Sequence, residues 1–131
     1  MPPDPAEIRD AQLAAINAER DRRLALGFDY DFGDKRGVHR INTTDQDMKG
    51  WNEVTLMAQT ALNLGQPETE ISIKTGTGRI TVTAMEWQSV LMAAAEVRQP
   101  LFNASFDLQE AETLPDDIKS DSLWLRPTAL K

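Results

Sequence analysis

His39 is the only histidine among the 131 residues, and there is no cysteine. Protein metal sites built on nitrogen or sulfur need several such ligands, and thiol nucleophiles, thiolate metals and disulfides all require cysteine. A histidine-based catalytic triad would have to use His39, and the sequence has neither a Gly-x-Ser-x-Gly elbow nor a phosphate-binding loop. Asp29, Asp31 and Asp34 resemble the start of a calcium loop. Gly33, however, stands at the fifth position of that loop and Arg40 where its twelfth-position glutamate should be. Gly76-Thr77-Gly78 lacks the third glycine of a dinucleotide site and precedes a strand-like run, so it reads as a turn. The 21 acidic residues leave paired-carboxylate chemistry open by composition, but no pattern brings two of them together. The expectation is a protein that is not an enzyme, with no catalytic, cofactor-binding or metal-binding residue.

The elements that would have held such groups are legible from periodicity. Ala6 to Leu26 has neither Gly nor Pro, is rich in good helix formers, and is followed by Gly27. Its apolar stripe is thin. Ile8, Leu13, Ile16 and Leu24 need a partner, either a sheet of the same chain or copies of the same helix. Phe28 to Phe32 alternates strictly and leads through Gly33-Asp34-Lys35-Arg36-Gly37 to Val38 to Ile41. A four-residue loop from Gly33 to Arg36 would set Tyr30 opposite His39 and Phe28 opposite Ile41.

Thr43 with Gln46, or Thr44 with Asp47, can cap a second helix running to about Leu64. Its broad apolar face centres on Trp51, and Gly50 would mark close packing against another element. Glu70 to Lys74 and Arg79 to Thr83 flank the Gly76-Thr77-Gly78 turn as a second hairpin. Thr83 and Glu86 make a capping box for a third helix, which Pro100 should kink or end. Trp51 and Trp87 should be buried near Ile71, Ile73, Ile80 and Val82. The fold class is therefore α+β: amphipathic helices packed against antiparallel β-hairpins, with an irregular C-terminal tail. In domain terms, residues 1–5 form an extended or disordered start, 6–112 a single α+β domain and 113–131 an irregular arm.

The net charge of -7 divides as 8 basic against 10 acidic residues through Gly50 and 6 against 11 beyond it. A surface of that sign repels phosphate backbones, which makes nucleic acid a poor partner. Arg20, Arg22 and Arg23 alternate with Glu19 and Asp21, the pattern of a solvated, salt-bridged face. No run approaches the ~18 apolar residues of a membrane span, and the start has no signal-like apolar region, so a soluble protein made in the cytoplasm is expected. In the acidic tail, Leu123-Trp124-Leu125 is an isolated apolar triplet. It docks either on the chain's own body or, as a partner-binding arm with Trp124 as anchor, on a neighbouring subunit.

Several runs in this order resemble one family. They are Ile16 to Phe28 with its Arg-rich helix end, the Thr43-Thr44-Asp45 start, and the alanine-rich helix stopping at Gly65. Ile71-Ser72-Ile73 with the Gly76 and Gly78 turn, and Val82-Thr83-Ala84 opening the last helix, complete the set. From about Asp10 to Glu110 the chain resembles a short domain family of unknown function that recurs in tail-fibre, tail-assembly and related structural proteins of tailed phages and prophages. The resemblance implies a small virion component at the tail tip, baseplate or fibre, or else an assembly chaperone absent from the finished particle. It also implies contact with other tail proteins, and several copies or a homo-oligomer in a rotationally symmetric tail. It carries over no catalytic residue. The candidate partner-binding residues are Ile8, Leu13, Ile16, Leu123, Trp124 and Leu125.

Overall fold

The computed structural model describes residue 2 and residues 4–125. The parts of the expected terminal segments at residues 1, 3 and 126–131 lie outside the described residues. Helix α1 spans Pro5–Leu24. Pro5 takes the first helical position, where its missing N–H costs nothing, and the Asp4 carboxylate accepts a hydrogen bond from the Ala6 N–H. Gly27 then turns the chain with φ 76°, and a Cβ there would overlap the Ile41 carbonyl oxygen, so only glycine fits.

Strands β1 (Phe28–Asp31) and β2 (Val38–Ile41) form the first hairpin in the expected register, Phe28 opposite Ile41 and Tyr30 opposite His39. Of the two caps considered for α2 (Asp45–Asn63), the structure uses Thr44 with Asp47, whose side chains and backbone N–H groups satisfy each other; Thr43 is buried instead. Strands β3 (Glu70–Thr75) and β4 (Gly78–Thr83) form the second hairpin, with Ile71 opposite Val82 and Ile73 opposite Ile80. The two hairpins are separate two-stranded sheets. Helix α3 (Ala84–Glu110) starts from the Thr83 and Glu86 capping box, and α4 (Asp121–Trp124) is a single turn.

Pro100 does not end α3, which continues to Glu110. A proline inside a helix costs about 3 kcal/mol. Here the following turns bury Leu101, Ala104 and Leu108, and that burial offsets the lost hydrogen bond.

The chain forms two compact units, one from Ala25 to Ala95 and one made of the residues up to Leu24 together with those from Glu96 onward. The core of the first holds Phe28, Ile41, Trp51, Ile71, Ile80, Val82, Trp87 and Val90. Trp51 and Trp87 meet edge to face with ring centroids 5.0 Å apart, and the Trp87 indole donates to Thr55 Oγ1 at 2.9 Å. Both tryptophans are buried as expected, while Ile73 stays half-buried at the margin.

The second unit is helical; it corrects the expected partner of the α1 stripe and decides between the two expected dockings of Trp124. The α1 stripe packs on helices of its own unit: Ile16 and Leu24 share a core with Leu101, Ala104, Leu108 and Trp124, and Leu13 packs at its edge. Trp124 is fully buried and donates its indole N–H to the Ile118 carbonyl, with Leu123 half-buried beside it. The tail thus contributes Leu114, Ile118, Leu123 and Trp124 to this core, and Ile16 and Trp124 are both buried in it. Burying the indole on its own chain relieves more apolar surface than leaving it on an arm. Of the six candidates only Ile8 and Leu125 are exposed.

The arginine cluster is not a uniformly solvated face either. Glu19 and Arg23 are buried, and the Arg23 guanidinium is held by Glu19 (2.7 Å), Asp121 (2.8 Å) and the Lys119 carbonyl (2.9 Å), 5.7 Å from the Trp124 ring. Arg22 and Asp21 remain toward solvent, while Arg20 is half-buried with its guanidinium 6.0 Å from the Phe102 ring.

Trp87→Ala should cost about 3 to 5 kcal/mol and Thr83→Ala about 1 kcal/mol, read from denaturant melts. The second unit should show acid sensitivity. Hydrogen bonds from Arg22 and Arg23 outweigh burial and lower the Glu19 pKa from the ordinary 4.5 to about 2. A depressed carboxylate pKa contributes stability that is complete above the unfolded value and is lost as pH falls from about 4.5 towards about 2. The melting temperature of the wild type should fall across that window. Glu19→Gln should be less stable at neutral pH by about 3 kcal/mol and should show a shallower fall in acid; parallel curves would refute the assignment.

Candidate functional site

His39 and the aspartates of the calcium-like run are each held in structural contacts. His39 Nδ1 lies 2.8 Å from Thr75 Oγ1 and 3.0 Å from Thr77 Oγ1, and its ring meets Phe32 edge-on at 5.8 Å. Thr75 Oγ1 donates to the Gly78 carbonyl, so it accepts from an Nδ1–H of the imidazole. That network locks the second hairpin's turn against β2, where Gly76 N–H also donates to the Arg40 carbonyl. A Cβ on Gly76 would stand 2.9 Å from Asn42 Oδ1 and 3.2 Å from that carbonyl, so a larger residue would have to push the Asn42 side chain and the β2 backbone slightly aside.

The aspartate run disperses likewise. Asp29 pairs with Arg40, Asp31 accepts from the Gly33 N–H, and Asp34 pairs with Arg36. The Arg36 hydrogen bonds, from side chain and backbone, hold the Asp34 carboxyl down at about 2. Arg36 also bonds Glu86 and the Thr81 carbonyl and covers the Phe32 ring at 4.9 Å. Its own pKa is raised by Asp34 and Glu86, and it lowers that of Glu86. Among the described residues, no three metal-binding side chains converge.

What the first unit does present is a trough between α2 and β3. One stretch, about 350 Å³, is lined by Gln46, Asp47, Gly50, Trp51, Val54 and Met57 of α2 facing Ser72 to Thr75. The next, about 670 Å³, is lined by Leu56, Met57, Thr60, Ala61 and Leu64 facing Glu70, Ile71 and Ser72. Met57 and Ser72 belong to both, so the trough runs along most of α2. Leu56, Met57 and Leu64 are 69%, 51% and 68% exposed, a concentration of open apolar surface on one helix. Asp47, Glu53 and Glu70 line it against a single cation, Lys74.

Gly50 departs from expectation. It was expected to mark close packing, yet a Cβ built on it meets nothing within 4 Å: it opens onto the trough. Sequence reasoning also missed the trough, although α2 carries more apolar residues than the face around Trp51, Ala58 and Ala61 needs. The excess was the available signal.

The chain matches the family model described as Domain of unknown function (DUF4376) over residues 7–121, and it belongs to that family. The match ends at Asp121, the residue that holds Arg23. No curated protein and no solved structure matches the chain. Among the described residues no helix is long and apolar enough to cross a membrane.

A helical glycine with free space around it costs stability for no packing gain. Gly50→Ala should therefore raise stability by about 0.5 to 1 kcal/mol in denaturant melts; a loss would show that the space beside Gly50 is filled in solution.

Proposed function

We propose that this chain is a protein-binding module that serves as a small structural component of a bacteriophage tail, at the tail tip, baseplate or fibre. The observation that carries the binding role is the trough beside α2, where Leu56, Met57 and Leu64 stand open to solvent. Apolar surface gathered in this way is stabilised when another protein covers it. The tail setting rests on the resemblance of the sequence to domains of tail-fibre, tail-assembly and related structural proteins. Rotational symmetry of a tail would then bring several copies to equivalent places.

Particles purified from the phage or prophage that carries the gene provide the test. Mass spectrometry should find peptides of this chain in stoichiometric amount with tail proteins. Peptides present in infected cells but missing from finished particles would favour an assembly chaperone over a virion component.

A further inference from the structure

We propose that the trough is a strand-addition site: an extended segment of a partner protein pairs with the outer edge of β3, carrying apolar side chains at alternate positions and at least one Lys or Arg. The inference rests on reading the trough as a protein-binding surface and adds how the partner is held.

The hydrogen bonds of β4 reveal which way the β3 backbone points. The Thr81 carbonyl accepts from Arg36 and the Thr83 N–H donates to Glu86, so both groups face away from β3. In an antiparallel pair, a residue whose backbone points outward stands opposite one whose backbone also points outward. Thr81 is opposite Ser72 and Thr83 is opposite Glu70. The N–H and C=O groups of Glu70 and Ser72 therefore point to the other edge, and alternation adds Lys74. The Ala84 N–H bonds the Thr69 carbonyl, which continues the same alternation one pair further. Among the described residues β3 has no hydrogen-bonded strand neighbour except β4.

Glu70, Ser72 and Lys74 also line the trough, together with the rest of β3. An open row of backbone donors and acceptors thus borders an apolar floor, the arrangement that holds peptides by strand addition. Gly50, with nothing within 4 Å of a Cβ, leaves room for a backbone to pass. Charge selects the occupant. Three carboxylates against one lysine favour a basic segment, and they disfavour a second copy of a chain whose own net charge is -7.

The probe is a displayed library of random peptides about twelve residues long, selected on the immobilised full chain. The expected result is enrichment of peptides with alternating apolar residues and a Lys or Arg, whose binding weakens as salt rises. Ser72→Pro removes an outward-facing donor, a change that edge strands tolerate. It should weaken a selected peptide by about tenfold or more while melting close to the wild type. Should that variant fail to fold, the same peptide N-methylated at alternate nitrogens is read on the wild type, and loss in one register alone supports pairing. The proposal is overturned if no peptide is enriched, if folded Ser72→Pro binds as tightly, if methylation in neither register matters, or if the bound peptide is helical by NMR. It is also overturned if light scattering shows the wild type to be a dimer that Gly50→Leu converts to monomer, since the occupant would then be a second copy. Finding the chain in or out of phage particles leaves these outcomes unchanged, so the two readings fail separately.

Discussion

A two-stranded hairpin is marginal in water because half of its backbone groups have no strand partner and one face must be covered. This chain has two such hairpins, and they are not strands of one sheet. Their stability has to come from side chains and helices. Trp51 and Trp87 supply the largest apolar surfaces, bringing α2 and the start of α3 into one core with Phe28, Ile71 and Val82. Two polar clusters then fix the hairpins to each other. Arg36 reaches from the first turn to the Thr81 carbonyl and Glu86, and His39 joins Thr75 and Thr77. Residues that looked available for chemistry are engaged because paired polar groups at these junctions are less costly than orphaned ones.

The helical unit solves a different problem. The stripe on α1 is too thin to be stable alone, and Arg23 and Glu19 lie within its buried face. Burying an ion pair is tolerable only when every donor and acceptor is met, and breaking it leaves a costly charge. Glu19, Lys119, Asp121 and the Trp124 ring meet that requirement together. The segment after α3 is consequently ordered by the arginine and the tryptophan, in spite of a composition too polar to order itself. That the family match runs to Asp121 accords with this segment being part of the domain.

Seen with those two cores, the trough is the place where the hairpin problem has been left open. The outer edge of β4 is engaged by Arg36 and Glu86, whereas the outer edge of β3 faces Leu56, Met57, Leu64 and Gly50 across a gap. Charged residues on and beside an edge hinder indiscriminate pairing. Glu70 and Lys74 are placed to do so here.

Local chemistry was enough to write the first unit from sequence. Strict alternation with turn glycines determined both hairpins and the register of the first, and caps at Thr43 or Thr44 and at Thr83 marked the starts of α2 and α3, because each of these signals acts between near neighbours. Long-range pairing was not legible in that way. Whether Arg23 would lie in solvent or in a core depended on residues 96 and 98 positions away, and whether Trp124 would dock at home depended on Ile16 and Leu108. Pro100 followed the same logic, since its local penalty was outweighed by Leu101, Ala104 and Leu108. The trough is also a tertiary product. The apolar excess of α2 could be counted in the sequence, but which of those residues would be covered was decided by how far α2 stands from β3.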